Sequence, residues 1–293
     1  MTIRELLALS QLLTDSDSAA LDAELLLCHC LQKERAYLYT WPELDIDSAT
    51  EKLFRELIER RVRGEPVAYL LGYRDFWSFS LAVNNSTLIP RPDTERLVEV
   101  ALELLKQKDA AVLDLGTGTG AIALALAKEN PAWQLTAVDV NAAAVELAQH
   151  NARALALENA KIFESDWFEK IPLQPFDLIV SNPPYIDGDD PHLTQGDVRF
   201  EPRRALVAEK NGLAAIAQII ADAQPYLKSN AWLLFEHGFE QAPAVRTLLS
   251  QHAFDTISTW SDLGGHERVT GGRWRGVRAN ELKQPKKLHN AKS

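Results

Sequence analysis

Three short stretches hold residues whose type and spacing could do chemistry. The first is Asn182-Pro183-Pro184-Tyr185, directly after the apolar run Phe176-Asp177-Leu178-Ile179-Val180-Ser181. Pro184 has no N–H and pushes Pro183 into an extended conformation, which frees the Pro183 carbonyl to point into a site. Asn182 adds a side-chain carbonyl, and Tyr185 a flat face beside both. Two neutral acceptors converging on one point suit a planar –NH2 group, with one N–H given to Asn182 and the other to the Pro183 carbonyl. An amide or aryl-amine nitrogen is a poor nucleophile because its lone pair is delocalised. The two acceptors favour electron density on that nitrogen and stabilise positive charge as it bonds to carbon. Positioning and preorganised electrostatics then carry the catalysis, and no general base has to act first. The plainer reading is a proline-rich turn.

The second stretch is Asp114-Leu115-Gly116-Thr117-Gly118-Thr119-Gly120-Ala121, between a strand pattern and a helical one. Glycines there admit positive φ and let backbone approach a ligand closely. Asp139 ends the following strand pattern, where a carboxylate can accept two hydrogen bonds from a ribose diol. A nucleoside cofactor is expected; a tight strand-to-helix turn is the alternative. Gly116-x-Gly118-x-x-Ala121 formally satisfies the dinucleotide fingerprint. Asp114, however, sets an anion beside the loop, which disfavours a pyrophosphate and suits the ammonium and sulfonium of S-adenosylmethionine. Electrostatics favours that cofactor over NAD, and the loop alone leaves both open. The third stretch, Ser165-Asp166-Trp167-Phe168, follows the next strand. Asp166 could accept from an adenine amine and Trp167 could stack on the ring; for Trp167 the plain alternative is a core aromatic.

These stretches need elements to hold them at one edge. From about residue 90 the pattern alternates strand and helix. Strands are expected at 111–115, 135–138, 161–163, 178–181 and 231–236, with helices at 119–129, 141–157 and 211–223 and a last helix after the 231–236 strand, to about 251. Repeated βα units imply an α/β fold: a Rossmann-like, doubly wound and mostly parallel sheet, with ligands at the C-terminal strand ends. Two last strands, 254–260 and 273–278, have only a loop between them, so one antiparallel strand is expected at or near an edge. Residues 1–72 read as a small helical domain with no catalytic grouping. Ile3, Leu6 and Leu7 recur at helical spacing, Ser18 is a candidate cap, and Phe54, Leu57, Ile58 and Val62 continue the pattern. Residues 73–89, with Phe79, Leu81 and Val83 alternating and a turn at Asn84-Asn85, read as a β-hairpin linker; 90–279 as the catalytic domain; 280–293 as a basic, disordered tail. The stretch of roughly 25 residues after Tyr185 exceeds ordinary connections and suggests a lid or binding loop, although its run Asp187-Gly188-Asp189-Asp190 equally suits a solvated face.

Composition narrows the classes. The chain has 293 residues, 46% hydrophobic and 25% charged, enough for a sizeable core and too ordered for wholesale disorder. No apolar run reaches membrane-spanning length, and Met1-Thr2-Ile3-Arg4-Glu5 does not open like an export signal, so no membrane association and a cytoplasmic location are expected. Cys28 and Cys30 diverge on a helix, and no His or Cys cluster has metal-ligand spacing; no metal is expected. His192, His237 and His266 are given no chemistry. Residues 273–293 carry a net charge of +6, which leaves −16 on residues 1–272. Such a surface is ill suited to gripping bare nucleic acid. No coiled-coil heptads appear, so a monomer is expected.

Taken together, the chain resembles the protein-(glutamine-N5) methyltransferases that modify peptide-chain release factors, the HemK/PrmC family, over nearly its whole length. The resemblance rests on Gly64-Glu65-Pro66 with Tyr69-Leu70-Leu71-Gly72, on Leu88-Ile89-Pro90-Arg91-Pro92-Asp93-Thr94-Glu95, on the three stretches above, on Gly196-Asp197-Val198-Arg199-Phe200-Glu201-Pro202, and on Glu267-Arg268-Val269-Thr270. The Asn-Pro-Pro-Tyr tetrapeptide is shared with nucleic-acid amino-methyltransferases; the 89–95 block and the helical domain are more selective. The resemblance implies methyl transfer from S-adenosylmethionine to the glutamine of the release factors' Gly-Gly-Gln loop. It implies cofactor binding by Gly116 to Gly120, Asp139, Trp167 and Asn182, and glutamine binding by Asn182 to Tyr185. It also implies that the helical domain grips the release factor. Arg91 is expected either at the cofactor's carboxylate or in a helix-entry ion pair. The extra basic tail departs from the family's closing segment.

Three other readings compete. A nucleic-acid amino-methyltransferase acting on adenine N6, cytosine N4 or guanine N2 would need a basic groove. An NAD-dependent oxidoreductase leaves Asn182–Tyr185 unexplained. A non-catalytic adaptor leaves both the cofactor and acceptor positions without purpose.

Overall fold

The computed structural model describes residues 1–276; the expected basic tail lies outside them. The first 71 residues form five helices: α1 (Ile3–Leu7), α2 (Ala19–Leu31), α3 (Arg35–Thr40), α4 (Ser48–Val62) and α5 (Val67–Leu71). Their apolar faces close a core of their own around Ile3, Leu6, Leu26, Leu27, Leu38, Phe54 and Ile58. Asp47 caps α4 by accepting from Ala49 N and Thr50 N, both at 3.0 Å. Ser18, expected to cap α2, makes no capping bond. Its hydroxyl donates instead to Asp22 at 2.8 Å, because that buried carboxylate is the stronger acceptor nearby.

A hairpin follows, β1 (Tyr73–Phe76) and β2 (Phe79–Ala82), antiparallel with Phe76 opposite Phe79. Its turn is Trp77-Ser78, with Trp77 at φ +57°. Asn84 closes a separate turn after the hairpin, where its Oδ1 accepts from Ser86 N at 2.9 Å. Phe76 and Leu81 point into the core of the C-terminal domain, so by packing the hairpin is part of that domain.

The remaining described chain runs α6 (Glu95–Leu104), β3 (Ala111–Leu115), α7 (Ala121–Glu129), β4 (Gln134–Asp139), α8 (Ala142–Ala154), β5 (Ala160–Glu164), β6 (Phe176–Ser181), α9 (Arg203–Leu206), α10 (Ala214–Asp222), β7 (Leu227–Glu236), α11 (Ala242–Gln251), β8 (Phe254–Ser261) and β9 (Glu267–Trp274). The seven-stranded sheet is ordered β5-β4-β3-β6-β7-β9-β8. All pairs among β3 to β7 are parallel, and β9 is antiparallel to both its neighbours. The Rossmann-like α/β expectation and the one antiparallel strand near an edge both hold. Alternating strand residues feed two cores. Val112, Leu178, Val180 and Leu234 face α6, α7 and α8, while Leu113, Leu115, Ile179, Leu233 and Phe235 face α10 and α11.

The last strand lies earlier than expected, at 267–274 instead of 273–278. Gly271-Gly272 reads as a break, yet both glycines are inside β9. A Cβ on Gly271 would stand 2.2 Å from the Leu234 side chain and 2.9 Å from the Leu233 carbonyl oxygen, so β9 needs glycine there to lie against β7. The helix expected from 119 starts at Ala121, after Gly120 at φ +86°. The one expected over 141–157 covers 142–154, with Asn141 as its cap. The long connection after Tyr185 is folded. Ile186 N donates to Leu206 O at 2.9 Å and Ala208 N to Ile186 O at 3.0 Å. Its acidic residues cap local turns: Asp187 accepts from Asp189 N and Asp190 from His192 N.

Candidate active site

The C-terminal ends of β3, β4, β5 and β6 border a cavity of about 270 Å³, closed on one side by the segment after the hairpin. The loop after β3 forms its floor. Gly116, Gly118 and Gly120 all have positive φ, at +74°, +58° and +86°. Gly116 N and Thr117 N both donate to Val138 O at 2.9 Å, which pins the loop to β4. Gly116, Thr117, Gly118 and Thr119 line the cavity; Gly120 instead begins α7, where a Cβ would meet Leu124 at 2.9 Å.

Asp139, at the end of β4, also lines it. One carboxylate oxygen accepts from Gly118 N at 3.0 Å and the other from Asn141 N at 2.9 Å. Each oxygen keeps a further lone pair for a diol. Burial raises this carboxyl's pKa, and the two N–H groups and the field of Arg204 pull it back.

Asp114 differs from its expected place. It is fully buried and is not among the cavity's lining residues. Its Oδ2 accepts from the Thr117 hydroxyl at 2.6 Å, while Oδ1 has no partner among the described residues. Burial pushes its pKa up to about 7. The run Asp114-Leu115-Gly116 read as an anion beside the ligand; strand alternation instead turns the carboxylate beneath the loop, where it holds Thr117.

Asp166 and Trp167 stand on the cavity wall. Trp167 sits at φ +41°, a strained backbone for a large side chain. Ser165 holds that kink, its hydroxyl donating to Trp167 O and accepting from Lys170 N, both at 3.0 Å. The indole lies near the loop: a Cβ on Gly116 would be 3.5 Å from it.

Beyond β6, Asn182 and Pro184 line the cavity; Pro183 and Tyr185 stand behind them. Asn182 Nδ2 donates to Thr94 Oγ1 at 3.2 Å. No donor among the described residues reaches Asn182 Oδ1 or the Pro183 carbonyl, and of the two residues Asn182 lines the cavity while Pro183 is buried behind it. The Tyr185 hydroxyl donates to Glu236 at 3.4 Å, and burial raises the phenol's pKa.

Four contributors were missed by motif reading. Thr94 orients Asn182, Glu236 faces Tyr185, and Arg204 lines the cavity. Glu201, with a fully buried side chain, pairs with Arg91 and accepts from Ile89 N at 3.2 Å. Arg91 forms the ion pair expected at the entry to α6, with Glu201, and also lines the cavity. Thr94 and Glu201 fall within the motif blocks quoted above, whereas nothing in the sequence around Arg204 or Glu236 marks them. Among the described residues no group of three or more His, Cys, Asp or Glu side chains is arranged to hold a metal ion.

Residues 6–72 match the PrmC N-terminal domain family, and residues 94–229 the methyltransferase small domain family. A release factor glutamine methyltransferase from Shewanella oneidensis is 54% identical over 91% of this chain and 93% of its own length. Its counterpart from Pseudomonas aeruginosa is 54% identical over 93% of this chain and 99% of its own. The chain belongs to the release factor glutamine methyltransferase family. The fold reaches beyond that family. A solved 16S rRNA N2 G1207 methyltransferase of T. thermophilus, in complex with AdoMet and guanosine, is 21% identical, spans 69% of this chain and 50% of its own, and superposes with a TM-score of 0.51. Its likeness concerns the sheet and its helices. The release factor methyltransferases match this chain at about half of all positions along nearly its whole length. The cavity fits an S-adenosylmethionine on its own geometry: a positive-φ backbone cradle, a carboxylate with lone pairs to spare, and an indole beside the loop.

Proposed function

We propose that the protein transfers a methyl group from S-adenosylmethionine to the side-chain amide nitrogen, N5, of the glutamine in the Gly-Gly-Gln motif of peptide-chain release factors, and so modulates translation termination. The observation that carries this reading is Asn182 on the wall of the cavity, its Oδ1 without a donor among the described residues and the unpaired Pro183 carbonyl next to it in the chain. When bound, S-adenosylmethionine supplies an electrophilic methyl on a cationic sulfur. Asp139 would take the ribose hydroxyls, the Gly116–Thr119 backbone would hold the cofactor, Trp167 would stack on its ring and Asp166 would accept from the adenine amine. Asn182 and Pro183 each accept one N–H of the glutamine amide, which fixes its plane and turns the nitrogen's π face toward the methyl. As the C–N bond would form and the S–CH3 bond break, with neutral S-adenosylhomocysteine as the leaving group, positive charge would grow on nitrogen, and both oxygens would stabilise it in place without reorganising. Pro184 and Tyr185 hold the flat amide from its sides. The proton on nitrogen becomes acidic only after the methyl arrives, and it leaves to water.

The helical domain supplies release-factor contacts away from the chemistry. We read the enzyme as a monomer acting without nucleic acid, since residues 1–272 carry −16. Its substrate belongs to translation, which is the ground for placing it in the cytoplasm. No helix among the described residues is long and apolar enough to cross a membrane.

Radiolabelled methyl transfer to a purified release factor tests the reading: label should enter the factor and vanish when the Gly-Gly-Gln glutamine is replaced. Calorimetry with S-adenosylmethionine and with NAD adds a second arm. Strong NAD binding with no response to S-adenosylmethionine would overturn the cofactor assignment, and label entering RNA or DNA alone would favour the nucleic-acid alternative.

A further inference from the structure

Glu236 is the last residue of β7. The register that pairs Ser181 with Phe235 sets it beside Asn182 across the two parallel strands. It is 2% exposed. Oε1 accepts from the Tyr185 hydroxyl, and Oε2 has no donor among the described residues. Burying a carboxylate with so few partners is unfavourable, and an apolar residue of similar volume would serve the packing as well. The position therefore calls for a reason outside the core.

That reason lies in the direction of the neighbouring hydrogen bonds. Thr94 Oγ1 accepts from Asn182 Nδ2, so its own proton is free to be donated elsewhere. The Thr94 hydroxyl faces Glu236 and favours its charged form. Asn182, Thr94, Glu236 and Tyr185 thus gather around one carboxylate, with Asn182–Thr94 and Tyr185–Glu236 as the formed hydrogen bonds and the Thr94 hydroxyl near the carboxylate without a bond that meets hydrogen-bond geometry. A carboxylate there polarises both hydroxyls toward itself, which keeps Thr94 Oγ1 an acceptor and the Asn182 amide turned with its nitrogen inward.

We propose that Glu236 is a positioning residue of the acceptor site: its carboxylate anchors the Tyr185 hydroxyl and, through Thr94, holds Asn182 with Oδ1 open to the amide being methylated. This deepens the function proposed above and rests on it.

The role requires the ionised form. Burial lifts the Glu236 pKa to about 7; Asp93 raises it further, while Thr94, Arg268 and Tyr185 lower it. Arg268, on β9, is shared with Asp93 at 3.7 Å and Asp262 at 3.2 Å. His237, the next residue, turns away to Gly238 O and Thr270. Because the charged form is the competent one, kcat should rise with pH as Glu236 loses its proton.

The test measures kcat, KM for release factor and calorimetric affinity for S-adenosylhomocysteine from about pH 6 to 8.5, a range that brackets the titration. Wild type should show a rising kcat limb with its midpoint near the Glu236 pKa. Glu236→Gln should lose that limb and roughly ten- to a hundredfold in kcat, the scale of a charge-assisted hydrogen bond. Its by-product affinity should stay within about twofold, since Glu236 does not line the cofactor cavity. Thr94→Val, which keeps shape and removes the hydroxyl, should likewise lower kcat and flatten the rising limb; because Thr94 lines the cavity, its readout is the pH profile and not by-product affinity, and it carries the test should Glu236→Gln fail to fold. An active wild type with an unaltered kcat and pH profile in Glu236→Gln, or a Thr94→Val enzyme like wild type, overturns the inference alone. A wild type that does not methylate release factor overturns the functional reading itself and this inference with it.

Discussion

At the scale of single residues, the proposed chemistry turns on Asn182. Its amide is tied at nitrogen to Thr94 and open at oxygen. If Oδ1 stabilises charge that exists only as the new bond forms, truncating it should act on turnover. Asn182→Ala is expected to lower kcat roughly a hundredfold, by analogy with loss of one preorganised donor elsewhere, while cofactor affinity changes by less than about threefold. Steady-state kinetics beside calorimetry reads both; equal losses in the two would mean that Asn182 serves mainly to hold the cofactor. Asp114 acts on stability. Its folded pKa, raised by burial to about 7, stands above its unfolded value, as does that of Glu236. The folded state therefore holds protons that the unfolded state has released. The stability these groups contribute is present in full below their unfolded pKa values and is lost as pH rises through their folded ones. His237, whose pKa is depressed by burial, has the opposite sign and acts below its ordinary range. Between about pH 6.5 and 8 each carboxyl should cost the protein on the order of 1 kcal/mol. Denaturant unfolding across that window should show a fall that is smaller in Asp114→Asn.

At the scale of elements, the site exists because β6 and β7 end together. Their register puts Asn182 and Glu236 side by side, and α6 brings Thr94 onto the same edge. The strand ends were legible beforehand because apolar runs stop at Asp139 and Ser181, followed by Val140-Asn141 and Asn182-Pro183. The last strand was not, since Gly271-Gly272 punctuates like a loop when only local propensity is read. What keeps those residues in β9 is the approach of β7, a tertiary cause that no window of sequence contains. Gly271→Val should consequently destabilise the fold by about 3 kcal/mol, through overpacking against Leu234 and the Leu233 carbonyl. A midpoint in denaturant unchanged from wild type would show that β9 can shift to admit a side chain. Asp114 illustrates the same limit within a motif: its type was read correctly, but its side of the strand follows from alternation that a loop motif obscures. Thr117, Asp139, Trp167 and Asn182 reach the cavity as the motifs implied, whereas Arg204 comes from a one-turn helix with no motif of its own.

At the scale of the whole molecule, the helical domain is fastened to the catalytic domain near the cavity. Arg61 of α4, 10% exposed, donates to Asp22 at 2.8 Å within its own domain and to Asp197 at 2.7 Å on the connection after β6. Arg199 reaches back to Arg63 O at 3.3 Å, and the Tyr69 hydroxyl donates to Thr87 O at 3.0 Å. Four residues after Asp197, Glu201 meets Arg91, and Arg204 follows on the cavity wall. The domain read as catalytically blank is thus joined through a few polar contacts to the cofactor's surroundings, a connection invisible in sequence because its partners are 136 residues apart. Arg61→Met should cost about 3 kcal/mol, since it leaves Asp22 buried without its cation. Urea unfolding checks the figure, and a loss below about 0.5 kcal/mol would mean that the serine hydroxyls around Asp22 suffice.

The mechanism stands on a glutamine amide nitrogen receiving the methyl group between Asn182 and the Pro183 carbonyl. Its sharpest test is tandem mass spectrometry of a release factor incubated with the purified enzyme and methyl-labelled S-adenosylmethionine. The expected result is one label, located on the side-chain amide of the Gly-Gly-Gln glutamine and appearing roughly a hundredfold more slowly with Asn182→Ala. A label on any other residue, or an unchanged rate of labelling by Asn182→Ala, would contradict it.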